Sequence, residues 1–580
     1  MPKKPVLTKA PLTDAFFSPL PYKAVRPQGV LLKRLREAAQ WVRHLNWEDD
    51  RLLGCAALAY LADDAALLEQ VKSRVDSILA AQREDGALDA GSDLAAQASL
   101  DRGLIAFYAA TADRRVLVYL LKRLQYVYRH AEKLYENLHA AALAGEYGYA
   151  ALCLYNWTGK SFLLHLLEKL RALSLDWTGF FHTFPVTRSF QKHIPPEEMK
   201  RGLSSPDAQT RLYYEKQQIM ADGLMLARGL KTPAVLSRFS GSSKENEAGR
   251  IGLEKVMRYH GTAHGLFAAE PSLMGGDPSC GMDGRAAAEA MFSLEQLLIS
   301  QGDGFIADAW EKIALNILPA MEKNGRIRPN ITVNGPFPQE NPPAAEVGPW
   351  VDAWLKGMTG YASGLWMAAR EEGLALLSYI PSLLRWKLGG TPVSIKVEGK
   401  YPLDGEVMLS MQLKQPAAFP LHLRVPAWAE NAAISVNGEG AQGPVPGSFF
   451  VLNRTWHDGD RVHVSLPMKP RLTRWHHQSA AVEYGPLLMA LSVDGEQPLW
   501  QLALSDKEPM ASALLGQPGE EQLQVYAMFK KIPEWNQKDG RPQMPPIQPG
   551  TQGEALKLTL TPYAETVCRM AQFPVAPEAS

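Results

Sequence analysis

Apolar positions fall into two regimes along the chain. Early on they recur at spacings of three and four. Leu117, Leu120, Leu121, Leu124, Val127 and Tyr128 share one helical face, and so do Phe162, Leu163, Leu166, Leu167 and Leu170. No proline occurs between Pro27 and Pro185. Proline breaks helix interiors, so this span predicts helix after helix. Three segments share one plan: ALAYLADDAALLEQV around Tyr60, AFYAATADRRVLVYLL around Tyr108 and LCLYNWTGKSFLLHLL around Tyr155. Each ends a helix near a tyrosine, turns through Asp or Gly, and restarts on an apolar stripe. The tyrosines lie 48 and 47 residues apart, one helical hairpin with its loops. LMLARGLKTPAVLSRF and LEQLLISQGDGFIADAWEKI read as further copies with inserted loops. Five or six such hairpins close into an α/α toroid, and an open solenoid is the competing layout.

Near residue 375 the period drops to two. TPVSIKVEG, GEVMLSMQL, FPLHLRVP, AAISVNGE, SFFVLN, DRVHVSLPM and SAAVEYGPLLMALS alternate apolar and polar between Gly, Pro, Asn and Asp turns. Their spacing predicts a β-sandwich. Residues 500–552 are weaker in pattern, EWNQKDGRPQMPPIQPGTQGE reads as a loop, and LKLTLTPY and CRMAQFP read as closing strands. The expected division is an extended segment at 1–27, a helical toroid at 28–374 and a sandwich at 375–498. Residues 499–580 would form a second β region or an extension packing on both.

Composition narrows the partners. The 580 residues carry 61 Lys+Arg against 61 Asp+Glu, so nothing global asks for nucleic acid. No apolar run approaches 18 residues and the first segment has no secretory apolar core, so neither a membrane span nor export is expected. The four cysteines, Cys55, Cys153, Cys280 and Cys568, are far apart with no CxxC pair. That usage fits a reducing compartment and predicts a cytoplasmic protein. GxxxxGK[ST], GxGxxG after a strand and GxSxG are all missing, which removes phosphate cradles and the serine nucleophile elbow.

Chemistry-bearing residues are densest between 257 and 311. His260, His264, Glu270, Asp277, Cys280 and Asp283 sit among glycines on an expected loop, with Glu289 in the helix that follows. Loops at one rim of a toroid line its cavity. Glycoside hydrolysis needs a carboxylic acid on the leaving oxygen and a second group on the other face, and Glu270 and Asp283 are candidates for that pair. Asp283 before Gly284 also reads as an N-cap, and Glu289 as a surface or buried, paired acid. His260 and His264 have the i, i+4 spacing of a helical chelate, but Gly261 and Gly265 make a regular helix doubtful there. His476 and His477 would point to opposite faces of a strand.

HGTAHGLFAAEPSLMGGDPSCGMDGRAAAEAMFSLEQLL, followed by GDGFIADAWEKIALNILPA, resembles the catalytic core of glycoside hydrolase family 127, the β-L-arabinofuranosidases. LHLRVPAWAENAAISVNGE, TWHDGDRVHVSLPM, YGPLLMA and PYAETVCRMAQFP resemble that family's β domains, so the likeness runs along most of the chain in order. It implies an (α/α)6 barrel followed by β-sandwich domains. It places the family's acid/base glutamate on Glu270. The glutamate and cysteine of the family's E-x-C zinc motif fall on Asp283 and Arg285, its cysteine pair on Pro349 and Trp350, and a substrate-binding histidine near Asp222. Without thiolates, the resemblance implies no zinc and no cysteine nucleophile here.

The resulting expectation is a glycosidase acting on a plant-derived oligosaccharide, exo-acting and arabinofuranosidase-like. Glu270 would be the general acid and Asp283 or Asp222 the second carboxylate. Arg285 would hold a carboxylate of a uronic sugar or of the protein itself, and His260 and His264 would bind substrate. No cofactor is expected, and a homodimer is compatible with the β domains. The alternatives are a catalytically silent sugar-binding or assembly subunit, and a uronate lyase, since a toroid alone does not fix the chemistry.

Overall fold

A computed structural model describes residues 8–577, apart from 47–50, 88–92, 336–342, 442, 493–500, 518–519, 533–534, 536, 539–540, 543, 548 and 567–568. Cys568 and part of the Pro/Gly/Gln-rich loop lie outside the described residues.

The repeats are pairs of helices. Tyr60, Tyr108 and Tyr155 lie at the ends of the helices Leu52–Ala62, Leu94–Thr111 and Ala144–Thr158. Each helix then turns through one left-handed residue, Asp63, Ala112 or Gly159, into the helix Ala65–Ala80, Arg114–Arg129 or Phe162–Leu173. Gly241 and Gly302 make the same turn after Thr232–Ser240 and Gly284–Gln301, leading to Ser243–His260 and Gly304–Asn316. The first helix of each pair is inner and apolar nearly all round; Leu52–Ala62 is buried everywhere except Leu53. The second is outer and one-sided, burying Leu163, Leu166, Leu167 and Leu170 in the third pair.

The inner helices form a closed ring. The last, Gly348–Ser363, packs on the first, Leu52–Ala62. There Gly54 has no room for a side chain, since a Cβ would lie 2.5 Å from that of Leu355. The chain is therefore a toroid and not an open solenoid. The sixth outer position belongs to Gly29–Val42, which precedes the first inner helix.

Two sheets pack as a sandwich behind the barrel. One orders its strands as Phe17–Pro19, Trp366–Ala369, Gly373–Leu376, Ala417–Val425 and Ser448–Trp456. The other has seven strands and ends on Val25–Pro27, paired to Ser382–Leu388. The extended segment before residue 28 thus supplies an edge strand to each sheet. A third sheet of eight strands begins at Pro470–Arg474, earlier than the expected break at 498, and has its own core around Val525, Phe529, Leu560 and Phe573. Gln522–Lys531 gives strand structure to the stretch that carried little pattern. His476 and His477 are not on a strand. They form a tight turn in which His477 is left-handed, at φ 55°.

One outer helix, Gly304–Asn316, holds both β units. Its Glu311 meets the fully buried Arg424, Ser378 Oγ at 2.5 Å and Tyr401 Oη at 2.8 Å. Asp308 accepts from Arg424 Nη1 at 2.6 Å and from the Ala427 amide at 2.8 Å. On the other side Lys312 pairs with Glu483 at 2.5 Å, and Asn316 bonds Pro486 O and Leu488 N.

Removing one member of a buried ion pair leaves the other charge uncompensated, at a cost of about 3–5 kcal/mol. Arg424→Met should lower stability by about that much in denaturant unfolding. A loss under about 1 kcal/mol would mean that water reaches Glu311 and Asp308.

Candidate active site

The outer helix Ser243–His260 stops at Gly261, and residues 261–283 fold over one mouth of the barrel before Gly284–Gln301 begins. Short bridges tie this excursion down: Asp222 to Ser272, Ala269 to Leu273 and Met282, and Met282–Asp283 to Asn330–Ile331. Three of the expected acids, Asp222, Glu270 and Asp283, share this small platform, each half-buried.

Glu270 is oriented by neutral donors. Its Oε1 accepts from the Gly281 amide at 2.5 Å and from Asn330 Nδ2 at 3.0 Å. A proton on that oxygen would oppose both donors. Gly281 lets the strand come this close, because a Cβ there would sit 2.6 Å from Glu270 Oε1.

Asp283 caps its helix as expected, through the Arg285 amide at 2.8 Å. Both its oxygens are also taken by the Arg285 guanidinium, at 2.6–3.1 Å, and Trp350 Nε1 donates to Oδ1 at 2.9 Å. Arg285 lies over the Trp350 ring, 4.8 Å from its centroid. Three positions that the resemblance matched to zinc ligands therefore meet in space, as a carboxylate, a guanidinium and an indole. The carboxylate that Arg285 holds is the protein's own. This donor set does not fit zinc: the one carboxylate is fully engaged and its neighbours are a cation and an N–H donor. Among the described residues no group of three His, Cys, Asp or Glu could hold a metal.

Asp222 caps the helix Gly223–Gly229 through the Met225 amide at 2.9 Å. Burial raises its pKa above the ordinary carboxylate value and the nearby Asp283 adds to the shift, while the capping amides and His139 oppose it.

Below the platform the axis is lined with charge. Glu289 lies 3.2 Å from Arg102 and 3.8 Å from Arg228, and Lys231 bonds Glu146 at 2.6 Å. Glu289 is thus buried and paired, one of its two expected states. Burial alone would raise its pKa, but Arg102, Arg228 and Lys231 outweigh that and hold it well below the usual range.

His260 and His264 take no part in the platform surface, contrary to the expected substrate contacts. His260 is fully buried, with Nε2 on Val186 O at 2.6 Å and Nδ1 accepting from the Gly275 amide at 2.9 Å. His264 is also buried, and its Nδ1 accepts from the Leu266 amide at 3.4 Å. Both brace the loop from inside. The local sequence gave no sign of Asn330, which arrives from a distant strand. Arg228 did carry one: a lone cation inside the apolar LMLARGL stretch. A separate cleft of about 600 Å³, lined by Arg474, Trp475, Asp506 and Lys507 among others, shares no residue with the platform.

Residues 373–468 match the family model described as β-L-arabinofuranosidase, GH127 middle domain. A solved glycoside hydrolase superposes with TM-score 0.76 at 15% identity, covering 97% of this chain and 98% of that one. A GH127 β-L-arabinofuranosidase from Geobacillus stearothermophilus T6 gives 0.69 at 18% identity, with 94% of each chain covered. A GH127 β-arabinofuranosidase gives 0.70 at 16%, over 97% and 99%. No curated protein matches the sequence. The resemblance to family 127 holds: the chain carries that family's middle domain and shares its fold almost end to end.

Two titrations follow. His260 has its pKa pushed down from 6.5 to about 4 by burial, against the Val186 contact, which raises it. The unfolded chain therefore takes up the proton first as the pH falls. The stability His260 supports is intact above pH 6.5 and is lost toward pH 4, by about 3 kcal/mol at most. His260→Gln should flatten the stability–pH curve in that window, and an unchanged slope would show that the ring is hydrated. For Asp222 the sign is opposite: a raised carboxyl pKa makes its ionised form a burden on the fold above that pKa. Asp222→Asn keeps a good cap and should raise Tm at pH 7, with the gain fading as the pH drops through the carboxylate range. A lower Tm at pH 7 would refute the strained carboxylate.

Proposed function

We propose that the protein is a glycoside hydrolase that removes terminal arabinofuranose-like sugars from plant-derived oligosaccharides. The observation that carries this is the meeting of Asp222, Glu270 and Asp283 on one platform at the barrel mouth. Glu270 Oε2 delivers the proton to the leaving oxygen, with Asn330 and the Gly281 amide fixing the carboxyl's orientation. Asp222 is the second carboxylate, because Asp283 has both oxygens committed to Arg285 and Trp350. The GH127 middle domain and the shared fold support the substrate class. No zinc takes part in this reading, and Arg285 is the fixed positive charge beside the acids.

Removing the general acid matters most where the leaving group is poor. Glu270→Gln should lose about 10²–10⁴-fold in kcat on an arabinan oligosaccharide. It should lose much less on 4-nitrophenyl β-L-arabinofuranoside, whose leaving group needs little protonation. Equal losses on both, or none, would remove Glu270 from that role. Wild type that binds arabinan oligosaccharides without cleaving them would instead support the sugar-binding subunit. Elemental analysis should find no stoichiometric zinc, and a stoichiometric ion would overturn the metal-free mechanism.

A further inference from the structure

Side-chain exposure falls steadily along the line of charges from the platform into the barrel. Arg285 is 40% exposed, Asp283 29%, Arg228 18% and Glu289 8%, while Lys231 is 1% exposed. Asp222 and Asp283 begin two inner helices at the mouth, and Arg228 and Glu289 each lie six residues further along them. At 1.5 Å per residue that is a depth of about 9 Å, roughly one sugar ring. Beneath them the Arg102 guanidinium packs on Phe292, 3.5 Å from the ring centroid.

Arg228 is unusual among these charges. Among the described residues its guanidinium has one ion-pair contact, Glu289 at 3.8 Å, beyond hydrogen-bond reach, and its buried Nε has no hydrogen-bond partner. A guanidinium offers only donors and an ionised carboxylate only acceptors. A hydroxyl is both, so two neighbouring hydroxyls of one sugar satisfy the pair, one on each group. A sugar carboxylate would instead meet Glu289, which its own cations hold ionised.

We propose that Arg228 and Glu289 form a clamp for the vicinal hydroxyls of a neutral terminal sugar, in a blind pit one residue deep. The inference rests on the glycosidase reading for its substrate but not for its geometry. It makes the site exo-acting and rejects uronic sugars.

The test has a binding arm and a kinetic arm. Saturation-transfer NMR should show methyl β-L-arabinofuranoside bound to wild type and to Glu270→Gln. Its 2,3-dideoxy analogue and galacturonic acid should bind at least about tenfold more weakly, the loss of one charge-assisted hydrogen bond or more. Arg228→Met, with its unfolding midpoint checked, should weaken the glycoside to the level of the dideoxy analogue, and Arg228→Lys should restore part of the loss. In kinetics, Arg228→Met should raise KM for 4-nitrophenyl β-L-arabinofuranoside about tenfold or more. Equal binding of glycoside and dideoxy analogue, preference for galacturonic acid, or an unchanged affinity in a folded Arg228→Met would each overturn the clamp. If wild type hydrolyses nothing, the glycosidase reading fails while the NMR still decides the clamp.

Discussion

Charge buried inside a closed ring of helices has to be neutralised by charge from a neighbouring helix. Arg102, Glu146, Arg228, Lys231 and Glu289 come from four inner helices and pair across the axis. Such pairs add little net stability, because desolvation consumes most of the Coulombic gain. Their consequence is geometric. They line the axis below the mouth, so they fix which charges a ligand meets there.

At the mouth the same rule acts on a smaller scale. Three carboxylates share the platform, and the fold treats each differently. Asp283 is neutralised by Arg285, Glu270 is steadied by neutral N–H donors, and Asp222 keeps a raised pKa. A guanidinium bound in this way supplies positive charge but activates neither a thiol nor a water as a metal ion does.

The helix Gly304–Asn316 shows how far this arrangement depends on the β domains. Asp308 and Glu311 bind the sandwich, Lys312 and Asn316 the third sheet, and the turn at His476 packs on Gly276 in the site loop. The GFIADAWEKIALN stretch carried much of the family resemblance, yet its polar residues join domains and none lies on the platform. A motif recognisable in sequence can thus be a hinge of architecture and not of chemistry.

Periodicity determined the helical and β halves and the hairpin repeat with its turns, and the Asp-Gly pair marked the cap at Asp283, because these are local: a helix face or a turn is set by residues a few positions apart. The position matching that placed residues 283, 285 and 350 in one site also survived folding. Tertiary structure alone closed the ring through Gly54 and Leu355, drew the first strands into the sandwich and started the third sheet at Pro470. It also turned His260 and His264 inward, and brought Asn330 to Glu270 and Arg228 to Glu289. Those outcomes depend on which backbone amides and charges a distant segment delivers, and side chains of one type look alike in sequence whether they face a cleft or a buried carbonyl.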